Sequence, residues 1–252
     1  MTTHLQIIAL TGLAGTGKDT AADILASHCG FTKLAFADAL RNEVVNAYAA
    51  ADAPALRAML SRRDTKETAT TRLALAECQD LGFLGACARC AIAQGMVIGA
   101  QWLREPRSPR QIMQWWGTEY RRAQSINYWT NQLAAHINQL HQLDGRTRFV
   151  ITDCRFENEA AMIRAMGGVV WQIVRDGVQP VEGQHASATD GTKLAPSVVI
   201  DNSDTLHSLR EAVLAEWLAL ETQTDVLRLQ LENPAHGDPV RAQTFGDRKS
   251  VV

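Results

Sequence analysis

Residues Gly12-Leu13-Ala14-Gly15-Thr16-Gly17-Lys18 decide the fold class, because they place the spacing Gly-x-x-x-x-Gly-Lys between two patterned segments. The apolar run at 5–10 before them is typical of a buried parallel strand. The pattern at 17–28 after them is that of a helix, which Gly30 closes. Glycines at such a turn let successive N–H groups and the helix dipole face an anion. The stretch therefore predicts a phosphate-binding loop.

The residues around the lysine suggest how a bound nucleotide and metal are held. Lys18 is the expected contact to the β- and γ-phosphates. The next residue is usually Ser or Thr, whose hydroxyl binds Mg²⁺, whereas here Asp19 precedes Thr20. A carboxylate is also a hard oxygen ligand, so both residues are candidate magnesium ligands. The alternative is a glycine-rich turn that binds no ligand. The candidate nucleotide contacts are Gly12, Ala14, Gly15, Thr16, Gly17, Lys18, Asp19 and Thr20.

Further strand and helix patterns follow along the chain. Short β-type runs occupy residues 33–36, 149–153, 169–174 and 197–200, and helical periodicity fills most of residues 47–143. Strands that alternate with helices favour right-handed crossovers and a parallel sheet covered on both faces. We therefore expect an α/β fold, a three-layer sandwich with a mostly parallel sheet.

The domain organisation follows from the same patterns. With 252 residues, of which 46% are hydrophobic, the chain is long enough for one sizeable core. We expect a single domain at 1–220 with a helical insertion at about 47–145. Residues 221–252 are polar and contain Pro and Gly, so we expect a poorly ordered tail there.

Composition argues against several classes of protein. The net charge of -2 disfavours a general nucleic-acid-binding protein. Five irregularly spaced cysteines indicate free thiols in a reducing cytoplasm. The pair Cys87 and Cys90 lacks a second pair that would complete a zinc site, so we expect helix-packing residues. The longest apolar stretch, residues 81–103, contains Arg89, which favours a buried helix over a membrane span.

Four motifs are spread over about residues 5–220: Gly17-Lys18-Asp19-Thr20, Phe36-Ala37-Asp38-Ala39-Leu40-Arg41, Ser108-Pro109-Arg110 with Gln114 and Gly117-Thr118-Glu119, and Thr152-Asp153-Cys154-Arg155-Phe156-Glu157-Asn158-Glu159-Ala160. They resemble the motifs of the phage-type deoxynucleoside monophosphate kinases, which are P-loop proteins similar in fold to adenylate kinase. The Gly-Lys-Asp-Thr ending is the variant that this family carries. The resemblance implies an adenylate-kinase-like fold and a second, acceptor nucleotide. It also implies that the helical insertion at about 47–145 binds this acceptor and forms a lid.

The second motif implies an acceptor-phosphate contact. Nucleotide kinases use an arginine in an Asp-x-Leu-Arg run after the second strand to hold the phosphate of the acceptor. The resemblance points to Arg41, with Asp38 beside it, as substrate-binding residues. The alternative is an arginine on a solvated helix face.

The fourth motif supplies a carboxylate and another arginine. Asp153 ends an apolar strand in the manner of a Walker B acid, which orients the waters of Mg²⁺. The alternative for Asp153 is a helix cap. Arg155 resembles the arginine that contacts the acceptor phosphate or the transferring group, a task suited to a planar guanidinium. Its alternative is an ion pair with Glu157 or Glu159.

The third motif lies in an arginine-rich part of the chain. Residues 104–110, followed by Arg121 and Arg122, concentrate positive charge in a slightly acidic protein, which suits phosphate. We expect Ser108 to cap a helix that Pro109 opens, and a tryptophan to offer a flat face to a base. The alternative places the arginines on a wet helix face and the tryptophans in the core. The candidate substrate contacts are Arg107, Arg110, Gln114, Trp115 and Glu119.

Two later segments complete the predicted site. Residues 175–189 follow a strand and contain glycines, which is typical of a mobile loop over phosphates, and His185 is its candidate substrate contact. The strand-to-loop segment around Asn202 resembles the one that passes the adenine of ATP, so Asn202 is a candidate nucleotide contact. The alternative is a cap for the last helix, formed by Ser203 or Asp204.

Together these features predict a kinase that transfers the γ-phosphoryl group of ATP, with Mg²⁺, to a (deoxy)nucleoside 5'-monophosphate. We expect catalysis by positioning and charge neutralisation from Lys18, Arg110, Asp153 and Arg155. The expected partners are small nucleotides, without nucleic acid polymer or membrane, and a homodimer is left open. Two alternatives are a P-loop kinase for another small acceptor, such as dephospho-coenzyme A or phosphomevalonate, and a nucleotide-binding module that transfers nothing.

Overall fold

The computed structural model describes residues 5–48, 52–62, 64–179 and 194–232. Contacts divide the chain into two compact units, Met1–Val213 and Leu214–Val252. The division falls before the boundary predicted at residue 220. All the strands described below belong to the first unit.

One parallel sheet organises the first unit. Among the described residues it has five strands in the order β2-β3-β1-β4-β5, and every pairing is parallel. The predicted α/β fold with a parallel sheet is therefore confirmed. Residues 7–11 of β1 are all buried, as expected for the central strand of a sheet covered on both faces. The strands are β1 (Gln6–Thr11), β2 (Thr32–Leu34), β3 (Arg148–Ile151), β4 (Val169–Val174) and β5 (Val198–Asp201).

The strand order changes direction at β1. The chain runs from β1 to β2 on one side of the sheet, returns to β3 beside β1, and then crosses β1 to reach β4 and β5. In open α/β sheets, the crevice at the carboxyl ends of the strands next to such a switch point is where ligands bind. The turn after β1, which carries the predicted phosphate-binding loop, lies at this place.

The helices account for most of the remaining described chain. The predicted helical middle third is confirmed, since the segment between β2 and β3 contains α-helices, short 3₁₀ turns and one π-helical segment. The helices are α1 (Lys18–Cys29), α2 (Phe36–Ala47), α3 (Ala53–Ser61), α4 (Leu81–Ala93), α5 (Ala100–Arg104), α6 (Pro109–Gln114), the π-helical segment (Trp115–Arg122), α7 (Tyr128–Asp144), α8 (Glu157–Ala165) and α9 (Leu206–Glu232).

Local signals set several of these boundaries. Gly30, in a left-handed conformation with φ of 72°, ends α1 as predicted. Ser108 caps α6, because its side chain accepts the N–H of Gln111 and Pro109 stands in the first turn. The strand predicted at 33–36 is shorter, since Phe36 already begins α2.

One carboxylate of α2 accepts several hydrogen bonds from the π-helical segment. Glu43 of α2 accepts hydrogen bonds from the Trp116 indole at 2.8 Å and from Arg121 at 2.7 Å. Trp116 is 1% exposed and packs against Phe83 of α4, with ring centroids 4.5 Å apart. These contacts hold the π-helical segment against α2, whose first turns face the crevice.

The apolar stretch at 81–103 was predicted as one buried helix, and this was wrong. The chain forms α4 and α5 instead, separated near Gly95, whose φ of 76° is left-handed. Leu81 is 81% exposed and Val97 is 90% exposed. Hydrophobicity alone predicted that the whole run would be buried. A helix is buried along the face that packs against its neighbours, and this run forms no single continuous face.

The C-terminal expectation also needs correction. The poorly ordered tail was predicted from residue 221, but α9 continues to Glu232. Residues 221–232 contain no Gly or Pro, so this stretch lacks the residues that most strongly disfavour a helix. The cap of α9 is neither Ser203 nor Asp204, since the Thr205 hydroxyl accepts the N–H of Ser208 at 3.1 Å. No helix in the described part of the chain is long and apolar enough to cross a membrane.

Candidate functional site

A cavity of about 640 Å³ opens at the carboxyl ends of β1, β2 and β3. The glycine-rich loop forms one end, and helices α2, α3 and α6 with the π-helical segment form the other walls. Basic side chains outnumber carboxylates in its lining. The basic residues are Lys18, Lys33, Arg41, Lys66, Arg110, Arg122 and Arg155, and the acidic ones are Asp19, Asp38, Glu67, Asp153 and Glu159.

The loop after β1 takes its shape from glycines that no other residue replaces easily. Gly12, Gly15 and Gly17 all have positive φ values, of 130°, 91° and 101°. A Cβ at Gly12 would overlap the backbone carbonyl oxygen of Ile173 at the end of β4. The loop therefore lies directly against the neighbouring strand, and its curl is fixed by the sequence at these positions.

The lysine and the asparagine predicted as nucleotide contacts both hold the loop. The Lys18 ammonium donates to the carbonyls of Gly12 at 2.8 Å and Leu13 at 2.7 Å. The Asn202 side-chain amide donates to the carbonyl of Thr16 at 2.8 Å, and a Cβ at Gly17 would overlap that amide. Lys18 also lines the cavity, whereas Asn202 is not part of its lining. Asn202 thus braces the loop from outside the cavity.

Asp153 connects the end of β3 to the start of α2. Its two carboxylate oxygens accept the N–H groups of Phe36 at 2.7 Å and Ala37 at 3.0 Å. Burial raises the pKa of Asp153, while the charge of Arg155 and the two N–H groups act in the opposite direction. The predicted helix-cap alternative is thus realised, although the helix is α2 rather than the one that follows Asp153 in sequence. The carboxylate still lines the cavity.

The predicted magnesium ligands are placed differently from one another. Asp19 and Asp153 line the cavity, and Thr20 does not. Two carboxylates beside a phosphate-binding loop fit Mg²⁺, which is commonly held by one or two carboxylates together with substrate phosphates and water. Within the described ranges, no three His, Cys, Asp or Glu side chains form a metal-binding group on their own. A metal here would therefore depend on the phosphates of a bound nucleotide.

Arg41 reaches the cavity from α2 and is restrained by Asp38. The guanidinium donates to the Asp38 carboxylate at 2.8 Å, and the other oxygen of Asp38 accepts the N–H of Ala35 at 2.9 Å. The Nε of Arg41 is buried without a hydrogen-bond partner among the described residues. A buried donor of this kind is costly unless a ligand satisfies it. The environment of Arg41 thus favours an anionic ligand.

Lys66 is a cavity residue that the sequence did not reveal. Burial lowers the pKa of Lys66, and the charges of Arg110, Arg155 and Arg41 lower it further, against a smaller opposite effect of Glu67. The segment is attached to α6, because the Arg110 N–H donates to the Lys66 carbonyl at 3.0 Å and the Arg110 side chain pairs with Glu67. No ion pair of Lys66 or Arg155 occurs among the described residues. Converging cations without enough carboxylates indicate an anion-binding site.

Sequence patterns hid Lys66 for a physical reason. Lys66 lies in the connection between α3 and α4, in a polar turn whose sequence is typical of an ordinary surface loop. The antiparallel bridge between Thr70 and Arg107, the hydrogen bond from Arg110 to the Lys66 carbonyl and the pair of Arg110 with Glu67 bring this turn beside α6. The signal that could have identified Lys66 is a positive charge next to Glu67 in a segment otherwise without regular periodicity.

Arg107 and Trp115 were predicted to contact substrate, but they lie outside the cavity lining. Arg107 is 8% exposed, donates to the carbonyl of Trp102 at 3.0 Å and pairs with Glu105 at 2.8 Å. Its guanidinium also stacks on the rings of Trp102 and Trp115, 5.6 and 5.3 Å from their centroids. The alternative of core packing describes Trp115, which packs against the hydrophobic core. It does not describe Arg107, which is buried instead of lying on a wet helix face.

Gly117 and Thr118 of the π-helical segment form a wall of the cavity together with Gln114, the last residue of α6. Gly117 permits a close approach to α2, since a Cβ there would stand 2.9 Å from the Leu40 side chain. Glu119 was predicted as a substrate contact but does not line the cavity, and it accepts a weak hydrogen bond from the Cys90 thiol at 3.8 Å. The π-helical segment thus presents Gly117 and Thr118 to the cavity, and Trp116 and Glu119 to α4.

A buried ion pair closes the end of the cavity near α8. Glu159 is 2% exposed and pairs with Arg122 at 2.6 Å. Glu159 also accepts the backbone N–H groups of Arg155 at 2.8 Å and Phe156 at 3.2 Å. Burial, and to a smaller extent the charge of Asp153, raises the pKa of Glu159. The two backbone hydrogen bonds and the charge of Arg122 lower it, and the resulting pKa is about 7. Removing one partner of such a pair typically costs about 3–5 kcal/mol.

The predicted ion pair of Arg155 with a glutamate of its own motif does not form. Glu157 pairs with Arg164 instead, at 2.9 Å, and Glu159 holds only the backbone of Arg155. The Arg155 side chain is exposed and lines the cavity. His185 lies outside the described residues, so its predicted contact stays a prediction.

Comparison with known proteins identifies the family. A family model described as deoxynucleotide monophosphate kinase matches residues 87–213, which is half of the 252 residues. The chain belongs to the deoxynucleotide monophosphate kinase family. This membership confirms the resemblance found in the motifs and makes the chain a nucleotide-binding phosphotransferase.

Members and neighbours of this family illustrate the range of similarity. A protein of Acanthamoeba polyphaga mimivirus named "Putative deoxynucleotide monophosphate kinase" is 23% identical over 220 residues, covering 84% of this chain and 95% of its own. Two solved structures are also similar. Dephospho-CoA kinase from Campylobacter jejuni has a TM-score of 0.44 and 12% identity, covering 87% of this chain and 100% of its own. TT1252 from Thermus thermophilus has a TM-score of 0.38 and 17% identity, covering 86% and 97%.

Proposed function

We propose that this kinase transfers the γ-phosphoryl group of ATP to a (deoxy)nucleoside 5'-monophosphate and releases the diphosphate. The observation that carries the proposal is the division of one cavity between a phosphate-binding loop and a separate group of cations. The loop supplies Lys18, and the opposite walls supply Arg41, Lys66 and Arg110. A kinase with two phosphorylated substrates needs two such groups, because both substrates are anions that must approach each other.

The loop end suits the triphosphate of the donor. Backbone N–H groups at the start of α1 and the dipole of that helix favour phosphate oxygens. In the structure, the Lys18 ammonium rests on the carbonyls of Gly12 and Leu13. From there it contacts the β- and γ-phosphates as a point charge when ATP binds.

The opposite end suits the monophosphate of the acceptor. Arg41 has a buried Nε without a partner among the described residues, and Lys66 is a desolvated cation beside Arg110 and Arg155. A phosphate dianion would neutralise this charge. Gln114 and Thr118, which also line the cavity, are the polar groups available to the sugar and base.

Arg155 is the cation positioned between the two groups. It follows Asp153 at the end of β3, next to the loop after β1, and its charge affects both Asp153 and Lys66. Charge spreads over the equatorial oxygens of the transferring phosphoryl group, and a guanidinium there stabilises it. The acceptor is already an anion at neutral pH, so the reaction proceeds by positioning and charge neutralisation without an obligatory base.

Mg²⁺ fits the carboxylates of the cavity. Asp19 and Asp153 would hold it, directly or through water, together with the phosphates of ATP. When bound, the metal neutralises charge on the β- and γ-phosphates. The buried carboxylate of Asp153 has a raised pKa, and a nearby divalent cation would favour its ionised form.

A panel of acceptors tests the proposal. ADP release from ATP and Mg²⁺ should require a nucleoside monophosphate, and deoxynucleoside monophosphates should give the highest kcat/KM if the family name describes this chain. Dephospho-coenzyme A and phosphomevalonate belong in the panel as competing small acceptors. Turnover with either of these alone would reject a nucleotide acceptor. ATP binding without ADP release in any combination would reject catalysis.

A further inference from the structure

We propose that Arg122 and Glu159 form a positioning pair that holds Arg155 in place for phosphoryl transfer. The inference rests on the proposed function and assigns a role to two residues outside the four catalytic ones expected from the sequence. It is built from hydrogen bonds that connect the π-helical segment to the start of α8.

The first step is the attachment of Arg155 to Glu159. The Arg155 side chain is exposed in the cavity and forms no ion pair with the described residues, so the backbone is the part of Arg155 that the fold holds. That backbone is held by one carboxylate oxygen of Glu159, which accepts the N–H groups of Arg155 at 2.8 Å and Phe156 at 3.2 Å. Hydrogen bonds from two successive N–H groups to one oxygen fix the turn that aims the guanidinium.

The second step is the attachment of Glu159 to Arg122. The other carboxylate oxygen of Glu159 pairs with Arg122 at 2.6 Å. The Arg122 guanidinium also stacks on the Phe156 ring, 4.0 Å from its centroid. Arg122 therefore contacts Glu159, which accepts the N–H of Arg155, and Phe156, which follows Arg155 in the chain. These two contacts restrain the turn that carries Arg155.

The third step is the position of Arg122 in the fold. It is the last residue of the π-helical segment, whose Gly117 and Thr118 line the acceptor side of the cavity. The pair is almost fully buried, with side-chain exposures of 11% and 3%. A rigid connection thus runs from the acceptor wall to the residue expected to stabilise the transferring group.

A double-mutant cycle in the full-length chain tests the pair. Arg155→Met should lower kcat by roughly 100-fold, in the range found for the loss of one transition-state donor, and Arg122→Met by roughly 10-fold. If Arg122 acts through Arg155, the double variant should be about as slow as Arg155→Met alone, since the two changes share one cause. The KM for ATP should stay within about twofold in Arg122→Met.

Two further variants separate positioning from folding. Arg122→Lys keeps the charge and should restore at least about half of the lost activity, while Glu159→Gln keeps the shape but loses the charged acceptor and should show the same non-additivity with Arg155→Met. Arg164→Met is the matched control, because it breaks an exposed ion pair of α8 at 37% and 67% exposure. Its effect should be small and additive with Arg155→Met.

The outcomes test the positioning pair separately from the proposed kinase activity. Full additivity of Arg122→Met and Glu159→Gln with Arg155→Met would overturn the positioning pair while the kinase activity stands. If Arg122→Met does not fold, the cycle with Glu159→Gln decides by the same criterion. An unaltered chain that phosphorylates no nucleoside monophosphate would overturn the proposed function and the pair together.

Discussion

The two ends of the cavity are built in different ways. At the donor end, the loop from Gly12 to Lys18 is one continuous stretch whose shape is set by backbone conformation and by contacts with adjacent strands. At the acceptor end, long side chains arrive from α2, from the turn after α3 and from α6. The donor end is thus a local structure, whereas the acceptor end exists only when the helical middle is packed.

This difference has a consequence for how each end fails. A change in the loop alters a backbone that cannot adapt, because its neighbour at Gly12 is the carbonyl of Ile173. A change at the acceptor end removes one cation from several and leaves the fold in place. We therefore expect losses of stability and catalysis at the donor end, and losses of acceptor affinity at the other.

The largest effect is expected from Lys18→Met. It removes the cation nearest the phosphate loop, and kcat should fall by about a thousandfold, in the range found for lost transition-state donors. Steady-state kinetics with ATP and the best acceptor would measure it. Lys33→Met is the comparison, since Lys33 lines the same cavity but pairs with the exposed Asp23, and its kcat should change by less than about threefold. Similar losses in both variants would show that the general charge of the cavity matters more than the loop.

The next effect compares two glycines within the loop. Gly12→Ala should lower the free energy of unfolding by about 3 kcal/mol, since it adds overlap with the Ile173 carbonyl to strained backbone. Gly15→Ala has strained backbone at φ of 91° but nothing within 4 Å of its Cβ, so about 1–2 kcal/mol is expected. Urea denaturation of both variants would measure the difference. Equal losses would mean that the close approach to β4 does not constrain the loop.

The smallest effect concerns the acceptor end. Lys66→Met should raise the KM for the acceptor by about 10-fold, equivalent to about 1.4 kcal/mol, and leave the KM for ATP within about twofold. Arg62→Met is the control, because Arg62 forms an exposed pair with Asp64 and does not line the cavity. Initial-rate measurements with each substrate varied in turn would separate the two constants. An equal rise of both would place Lys66 at a site shared by donor and acceptor.

The sequence predicted a large part of this structure. The parallel α/β sheet, the Gly30 end of α1 and the Ser108 cap of α6 all followed from patterns within a few residues. The exposure of Leu81 and Val97 in the 81–103 stretch and the continuation of α9 to Glu232 did not, because the composition of a segment does not specify which of its residues face the core. Placement of an apolar or polar segment depends on the face that it presents to its neighbours.

The candidate site divides along the same line. The positions of Lys18, Asp19 and Asp153 in the cavity follow from their places directly after parallel strands. Lys66 and Glu159 carried no such local signal. Arg107 carried a misleading one, because a charged residue in an arginine-rich stretch resembles a phosphate ligand although it packs between two tryptophans.

By itself, therefore, the sequence determined that this chain folds as a P-loop protein around a glycine-rich turn, because the conformations allowed to glycine and the hydrophobic periods of strands and helices are local properties. Only the tertiary structure decided which cations meet that turn. The contacts of Arg110 with Lys66 and Glu67, together with the bridge between Thr70 and Arg107, bring Lys66 to the cavity. The burial of Glu159 against Arg122 fixes the turn of Arg155. Contacts between residues far apart in the chain depend on the packing of whole helices.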